Sequence, residues 1–198
     1  MVGVRAKDHY EKRQLILDRS AALFARQGFH RTSIADIAKA CNSPSKAWIY
    51  HYFPNKEAVL HAQLIDFITM ITARARAAIE SHPDPRAQFR AFIGECLRIF
   101  DEYRVNYAIL SGNIPSLSED QQASIRALER EYAHVLRDII LMLNPRVSER
   151  RYEAMSLTMI VFGAVNWTYT WFDEKGTLSL EQLADLMTET LLGGIRSL

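Results

Sequence analysis

No run of about 18 apolar residues occurs in this chain, so no segment is long enough to cross a bilayer as a helix. The opening stretch MVGVRAKDHYEKR carries charge with no apolar run behind it, which is not the pattern of a secretory signal. A cytoplasmic location is therefore the expectation, with no membrane among the partners. Cysteine is scarce: Cys41 and Cys96 are the only two and lie far apart, so packed thiols are expected and not a disulfide framework. The eight glycines form no phosphate-binding loop, and there is no nucleophile elbow. Metal chemistry finds little support. Glu131 and His134 have the Glu-x-x-His spacing of a di-iron bundle, but such a site needs two copies and further glutamates, and there is one copy here. Glu57 and His61 stand four apart without a third ligand. Neither a metal, nor a cofactor, nor an enzymatic activity is expected.

What the chain does have is an uneven distribution of charge. Its net charge is only +1, but up to Lys56 it carries ten Lys or Arg against four acids, so a +6 segment precedes a remainder of −5. A basic segment of this kind is either a solvated charged face or a surface for phosphates, with the acidic remainder kept off the nucleic acid. Hydrophobic residues make up 48% of the 198, enough for a globular core.

Helical periodicity runs throughout, with no internal repeat or low-complexity segment. A first helix is expected from Asp8 to Gln27, stopped by Gly28. Ile34, Ile37, Ala38 and Cys41 then share one face of a short helix, with Ser33 as its cap and Asp36 in its first turn. Asn42-Ser43-Pro44 breaks that pattern. A second short helix is expected to open there, with Ser43 as N-cap and Pro44 at its first position, and to carry Lys46, Trp48, Tyr50, His51 and Tyr52. Longer helices follow: Lys56 to Ser81, Arg86 to Arg104, Ser118 to Leu143, Ser148 to Phe172, and a last one capped by Ser179. Pro83, Pro85, Pro115 and Pro145 punctuate them. Ala154 to Trp171 contains no charge, so that helix is expected to be buried on most sides; with the last helix it is expected to form a homodimer interface. The fold class is all-α: a three-helix head with a helix-turn-helix, residues 1–55, and a larger helical body, residues 56–198.

The run Thr32-Ser33-Ile34, Asp36-Ile37-Ala38, Ser45-Lys46, Ile49-Tyr50-His51-Tyr52-Phe53 and Lys56-Glu57 closely resembles the DNA-binding head of TetR-type, tetracycline repressor-like, transcriptional regulators. About a dozen positions agree within one short segment. Between Ala38 and Tyr50 the chain has one residue more than the usual spacing of that head, at Ser43-Pro44. Asn166-Trp167-Thr168-Tyr169-Thr170-Trp171-Phe172 with Gly176-Thr177-Leu178-Ser179 looks like a subgroup tied to fatty-acid, steroid or aromatic catabolism through acyl-CoA ligands.

The resemblance implies a homodimeric, ligand-responsive regulator that binds a double-stranded palindromic operator and is released by a hydrophobic small-molecule effector, an acyl-CoA or an aromatic compound. Ser45, Lys46 and Ala47 take the major-groove side, with Lys46 facing guanine. Trp48, Tyr50, His51 and Tyr52 reach sugar and phosphate; Thr32, Ser33 and Lys56 hold further phosphates; Ile49 and Phe53 belong to the core. The effector region is expected among Phe67, Met70, Phe89, Phe92, Phe100, Tyr103, Tyr107, Met159, Phe162, Trp167 and Tyr169, each of which also fits ordinary core packing. Arg90, Arg98 and Arg104 stand ready for an acidic ligand or are simply solvated. The competing reading is a helical hydrophobic-ligand binder or an enzyme without a DNA role.

Overall fold

The computed structural model describes residues 2–43, 45–103, 112–149, 153–173 and 175–197. Among them nine α-helices and no strand occur: α1 (Val2–Gln27), α2 (Ile34–Ala40), α3 (Lys46–Tyr50), α4 (Lys56–Glu80), α5 (Pro85–Glu102), α6 (Glu119–Leu143), α7 (Glu153–Asn166), α8 (Thr168–Trp171) and α9 (Leu180–Ser197). Short 3-10 turns lie at Ile114–Ser116 and Pro145–Glu149.

Two compact units divide the chain, one built from the chain up to Phe67 and the stretch ending at Ile125, the other from Ile68 to Tyr103 and from Arg126 onward. In the first, the apolar stripes of α1, α2 and α3 close on one another. Ile16, Ile37, Ile49, Val59, Leu60 and Ile125 are fully buried, and Phe24 and Phe29 meet edge to face at 5.1 Å. Gly28 ends α1 at φ +84°, a left-handed turn residue that lets its N–H donate to the Phe24 carbonyl at 2.9 Å.

The second unit is built around α5. Asp84 caps it by accepting from the Arg86 and Ala87 amides at 3.0 and 3.1 Å, and Pro85 sits at its first position, where no N–H is needed. Phe89, Phe92 and Ile93 are fully buried there, as are Leu136, Ile139 and Ile140 of α6. At about 1.5–3 kcal/mol for each large apolar side chain removed from water, these residues dominate the stability of the unit. Ser179 caps α9 as the sequence predicts, in a reciprocal pair with Gln182: the Gln182 amide donates to Ser179 Oγ at 3.2 Å, and the Ser179 amide to Gln182 Oε1 at 2.9 Å.

The structure departs from the sequence-based expectation at three places. The first helix begins six residues earlier, at Val2 and not at Asp8. The expected helix Ser148 to Phe172 is broken at Trp167 into α7 and α8, where Thr168 donates its hydroxyl to the Val165 carbonyl at 2.6 Å. Its charge-free stretch is also not buried on most sides: Thr158, Val161 and Val165 are covered, whereas Met159, Ile160, Trp167 and Trp171 are exposed. Among the described residues no helix is long and apolar enough to cross a membrane.

Candidate nucleic-acid interface

The helix-turn-helix is shaped by the chemistry of its connection. Asn42 adopts φ +53°, a left-handed conformation that asparagine tolerates, and the chain reverses there. The Ser43 amide then donates to the Ala38 carbonyl at 2.9 Å and the Asn42 amide to Lys39 at 3.1 Å, closing α2 with a Schellman pair. Because Ser43 completes this closure and turns its hydroxyl to the Ser45 carbonyl, it is not the N-cap of α3. That position falls to Ser45, in an extended conformation. The connection is therefore longer than expected and the recognition helix starts later, at Lys46. Pro44 lies outside the described residues.

α3 presents two faces of opposite character. Ile49 is fully buried and Phe53, just beyond the helix, is 5% exposed; both are core. Ser45, Lys46, Ala47, Tyr50 and His51 are exposed, while Trp48 and Tyr52 are half-buried. The rings form one cluster: Trp48 and Tyr52 lie 5.3 Å apart and His51 and Tyr52 5.2 Å. The imidazole of His9, from α1, stands 4.8 Å from Tyr52 and 6.2 Å from His51. His9 was not among the residues singled out from sequence, since a lone histidine in a charged helix gives no signal of what it will face.

Three of the expected phosphate contacts are committed elsewhere. Thr32 is 2% exposed, and its hydroxyl donates to the Gly28 carbonyl at 2.8 Å while its amide donates to Phe29. The amide and hydroxyl of Ser33 both donate to Asp36 Oδ2, at 2.8 and 2.7 Å, and the Asp36 amide returns a bond to Ser33 Oγ at 3.2 Å. Lys56 Nζ donates to the Phe29 carbonyl at 2.8 Å and lies 4.3 Å from the centre of the Phe29 ring. The donors expected for phosphate thus brace the turn that precedes α2.

The bonds from Ser33 hold the Asp36 carboxyl below its usual pKa, with smaller help from Lys39 and Lys46. A depressed carboxylate contributes stability above its unfolded pKa and loses it as pH falls through the folded value. Ser33→Ala is accordingly expected to lower Tm by about 3 °C at pH 7. The gap from the wild type should begin to narrow as pH falls through the ordinary carboxylate range at about pH 4 and go on narrowing below it, where the depressed folded carboxyl takes up its proton; differential scanning calorimetry from pH 3 to 7 checks it.

The second unit places the remaining candidates differently from one another. Phe89 and Phe92 are wholly buried and Phe100 is 9% exposed. Phe92, Tyr132 and Phe162 form a ring trio with centroids 5.2 to 5.9 Å apart. Cys96 lies 3.0 Å from the Tyr132 hydroxyl, and burial pushes its thiol up to about 12, so it is the packed thiol expected. Cys41, the helix's C-cap residue, is only half-buried. Met70, Tyr103 and Phe162 are half-buried; Phe67 is half-buried in the first unit. Met159 and Trp167 are 48% and 65% exposed. Tyr107 and the side chain of Tyr169 lie outside the described residues.

A cleft of about 860 Å³ opens instead among the last turns of α4, α5 and α9, and none of the nine described aromatic and methionine candidates lines it. Its walls combine alanines with charged side chains. Arg74 bridges Glu95 and Glu102 at 2.6 Å each; Arg98 bridges Glu95 at 3.0 Å and Glu181 at 2.9 Å; Arg90 bridges Glu181 at 2.6 Å and Asp185 at 2.9 Å. Arg86 pairs with Glu189. Arg90 and Arg98 are thus ion-paired and not simply solvated; Arg104 lies outside the described residues. Spacing would have revealed these faces, since Glu181, Asp185 and Glu189 recur every four residues on α9 and Arg86 and Arg90 do so on α5. Which acid meets which arginine is a product of helix packing. Among the described residues no three side chains are grouped to hold a metal ion.

Two family models cover most of the chain: residues 16–62 match the bacterial regulatory proteins of the tetR family, and residues 82–195 match the tetracyclin repressor-like C-terminal domain. A TetR-family transcriptional regulator from Bordetella parapertussis superposes with a TM-score of 0.80 at 36% identity, covering 94% of this chain and 96% of that one. AibR, solved in complex with isovaleryl coenzyme A and operator DNA, superposes with a TM-score of 0.77 at 25% identity over 91% of this chain and 98% of its own. The uncharacterised HTH-type regulator YuxN of Bacillus subtilis is 29% identical over 116 residues, 58% of this chain but only 40% of its own length. With a helix-turn-helix at one end, a helical body at the other and a family model over each, the chain belongs to the TetR family of bacterial transcriptional regulators and is not an enzyme.

Proposed function

We propose that this protein acts in the cytoplasm as a homodimeric repressor, whose residues 1–55 read a near-palindromic operator and whose residues 56–198 dimerise and bind a hydrophobic small molecule that releases it. The observation that carries the DNA reading is the two-faced α3. It seats Ile49 in the core and leaves Ser45, Lys46, Ala47, Tyr50 and His51 in solvent on a short helix that opens with a lysine. Lys46 is the groove contact; Tyr50 and His51, backed by Trp48 and Tyr52, are the phosphate and sugar contacts. His9 extends that surface onto α1. Two heads then enter successive major grooves, in keeping with the two-fold symmetry of a palindrome.

The effector class is an acyl-CoA or an aromatic compound. It is supported by the likeness to AibR, whose complex holds isovaleryl coenzyme A, and by the aromatic content of the second unit. Release requires that the effector favour one spacing of the two heads over another. α4 is a continuous helix from Lys56 to Glu80 whose residues belong to both units, which supports it as the element through which the effector acts.

Lys46→Ala tests the DNA reading. Operator affinity is expected to fall about tenfold or more, as for loss of one base contact. Lys46→Gln should retain part of that affinity. Fluorescence anisotropy across a salt series measures both, and an unchanged affinity and salt slope in Lys46→Ala would overturn the role given to Lys46.

A further inference from the structure

We propose that the notch between Arg90 and Arg98 on α5 is an anion-binding site, occupied in the free protein by Glu181 of α9 and taken by a phosphate or carboxylate group of the effector when it binds. The inference rests on the reading that the second unit binds an effector, and adds where its charged end goes and how it acts.

Gly94 makes the notch. A Cβ at that position would lie 3.3 Å from Arg90 Nη1 and 3.7 Å from both Nη atoms of Arg98, so the two guanidinium groups come together over bare helix backbone. Glycine is unfavourable inside a helix, and here its missing side chain spares the Arg90 guanidinium a tight approach and leaves both forks free to lie over the backbone. Both forks turn to one carboxylate. Glu181 Oε2 accepts from Arg90 Nη2 at 2.6 Å and Glu181 Oε1 from Arg98 Nη1 at 2.9 Å. A single oxyanion held by two guanidinium groups is the geometry that binds phosphate and carboxylate ligands, and Glu181 stands in for one.

The forks do not depend on Glu181 for their direction. Arg90 Nε donates to Asp185 at 2.9 Å and Arg98 Nε to Glu95 at 3.0 Å, so both arginines stay aimed into the notch after Glu181 leaves. Leaving is easy, because the Glu181 side chain is 56% exposed. The cleft of about 860 Å³ beside the notch, with Arg86, Ser81, His82 and Thr188 on its walls, has room for the rest of a nucleotide-sized anion. Binding there has a structural consequence: Glu181 lies in the first turn of α9, and displacing it removes the two ion pairs that tie that turn to α5, while Asp185 and Glu189 still pair with Arg90 and Arg86 further along the helix. α9 is one of the two helices assigned above to the dimer, so the ligand acts on the geometry of the assembly by competing with a carboxylate of the protein itself.

Isothermal titration of the full-length protein with inorganic pyrophosphate, with acetate and with coenzyme A, at constant ionic strength, tests the site. Glu181→Gln is expected to bind pyrophosphate and coenzyme A about tenfold more tightly than the wild type, since the resident competitor is gone. The double variant Arg90→Gln, Arg98→Gln should bind neither. Arg90→Lys with Arg98→Lys retains the charges but loses the forks, and should bind at least tenfold more weakly while melting as a folded protein. Tightening for acetate alone would assign the notch to a carboxylate ligand; tightening for pyrophosphate, to a phosphate. Unchanged or weaker binding of every probe by Glu181→Gln overturns the proposal. The two readings fail separately. Isovaleryl coenzyme A that releases operator DNA equally from all variants leaves the effector reading standing without the notch, whereas pyrophosphate tightening with no release by any thioester leaves the notch without that effector.

Discussion

Ile160→Glu combined with Leu186→Glu is expected to convert the protein to a monomer and to weaken operator binding by at least about 100-fold, because a single head loses the avidity of a paired one. The two side chains are 61% and 57% exposed, on α7 and α9, and Met159, Trp167 and Trp171 on α7 and around α8 are exposed as well. Large apolar side chains in such numbers on two neighbouring elements are unusual for a surface that stays wet, and their composition is that of an interface core. Because neither residue is packed within the chain, the variant should retain its fold, with thermal stability of the isolated chain within about 0.5 kcal/mol. A charged pair introduced at the centre of an interface has no counter-charge there and is desolvated, which costs several kcal/mol of association. Size-exclusion chromatography with light scattering at micromolar concentration reads the mass, and anisotropy reads the operator. A wild-type protein that runs as a monomer, or a variant that remains a dimer, would remove this assignment of the interface.

The same helix shows how far composition alone reaches. Ala154 to Trp171 lacks charge, and from that the sequence implies cover on most sides. Among its described residues Thr158, Val161, Val165 and Thr168 are buried within the chain, while Met159, Ile160, Trp167 and Trp171 are left exposed. Hydropathy measures how much surface wants to leave water and carries no information on whether the same chain or another removes it. The break at Trp167 was equally hidden: a Thr168 hydroxyl bonds the Val165 carbonyl beside it, and a threonine inside an apolar run does not announce which way its hydroxyl will turn.

In the head, what was legible was whatever rests on local chemistry. Ser33 and Asp36 form the reciprocal cap their spacing calls for, Ile49 and Phe53 are buried, and Lys46 with Ala47 is exposed. The register of α3 was misjudged because Ser43 has two possible uses. It can open α3 with Pro44, or finish α2 behind a left-handed Asn42, and the second closes two backbone bonds that the first leaves unmade. The partners of Lys56 were hidden for a related reason: a lysine opening a helix suits a phosphate, and the Phe29 carbonyl and ring that it meets lie within its reach only once α1 and α4 are packed. Contacts between residues far apart in sequence, His9 with Tyr52 and Arg90 with Glu181, depend on that same packing and leave no local trace.

Phe92→Ala is expected to lower stability by about 3–5 kcal/mol, the largest stability effect of any substitution considered, and to do so with or without an effector. Phe92 has no exposed surface, and its ring lies 5.8 Å from Tyr132 and 5.9 Å from Phe162, so truncation leaves a void between two helices, α6 and α7, that cannot close on it. A residue that lined an effector cavity would behave differently. Its neighbours would already be separated by space, truncation would cost less, and the loss would appear chiefly in ligand affinity. Phe162 gives the comparison: it is half-buried beside Tyr132 at 5.2 Å, and its truncation should cost less than that of Phe92. Urea unfolding of both variants, with the slope compared with the wild type, separates the cases. A loss below about 1.5 kcal/mol for Phe92→Ala would show that the trio is loosely packed and return Phe92 to the effector cavity.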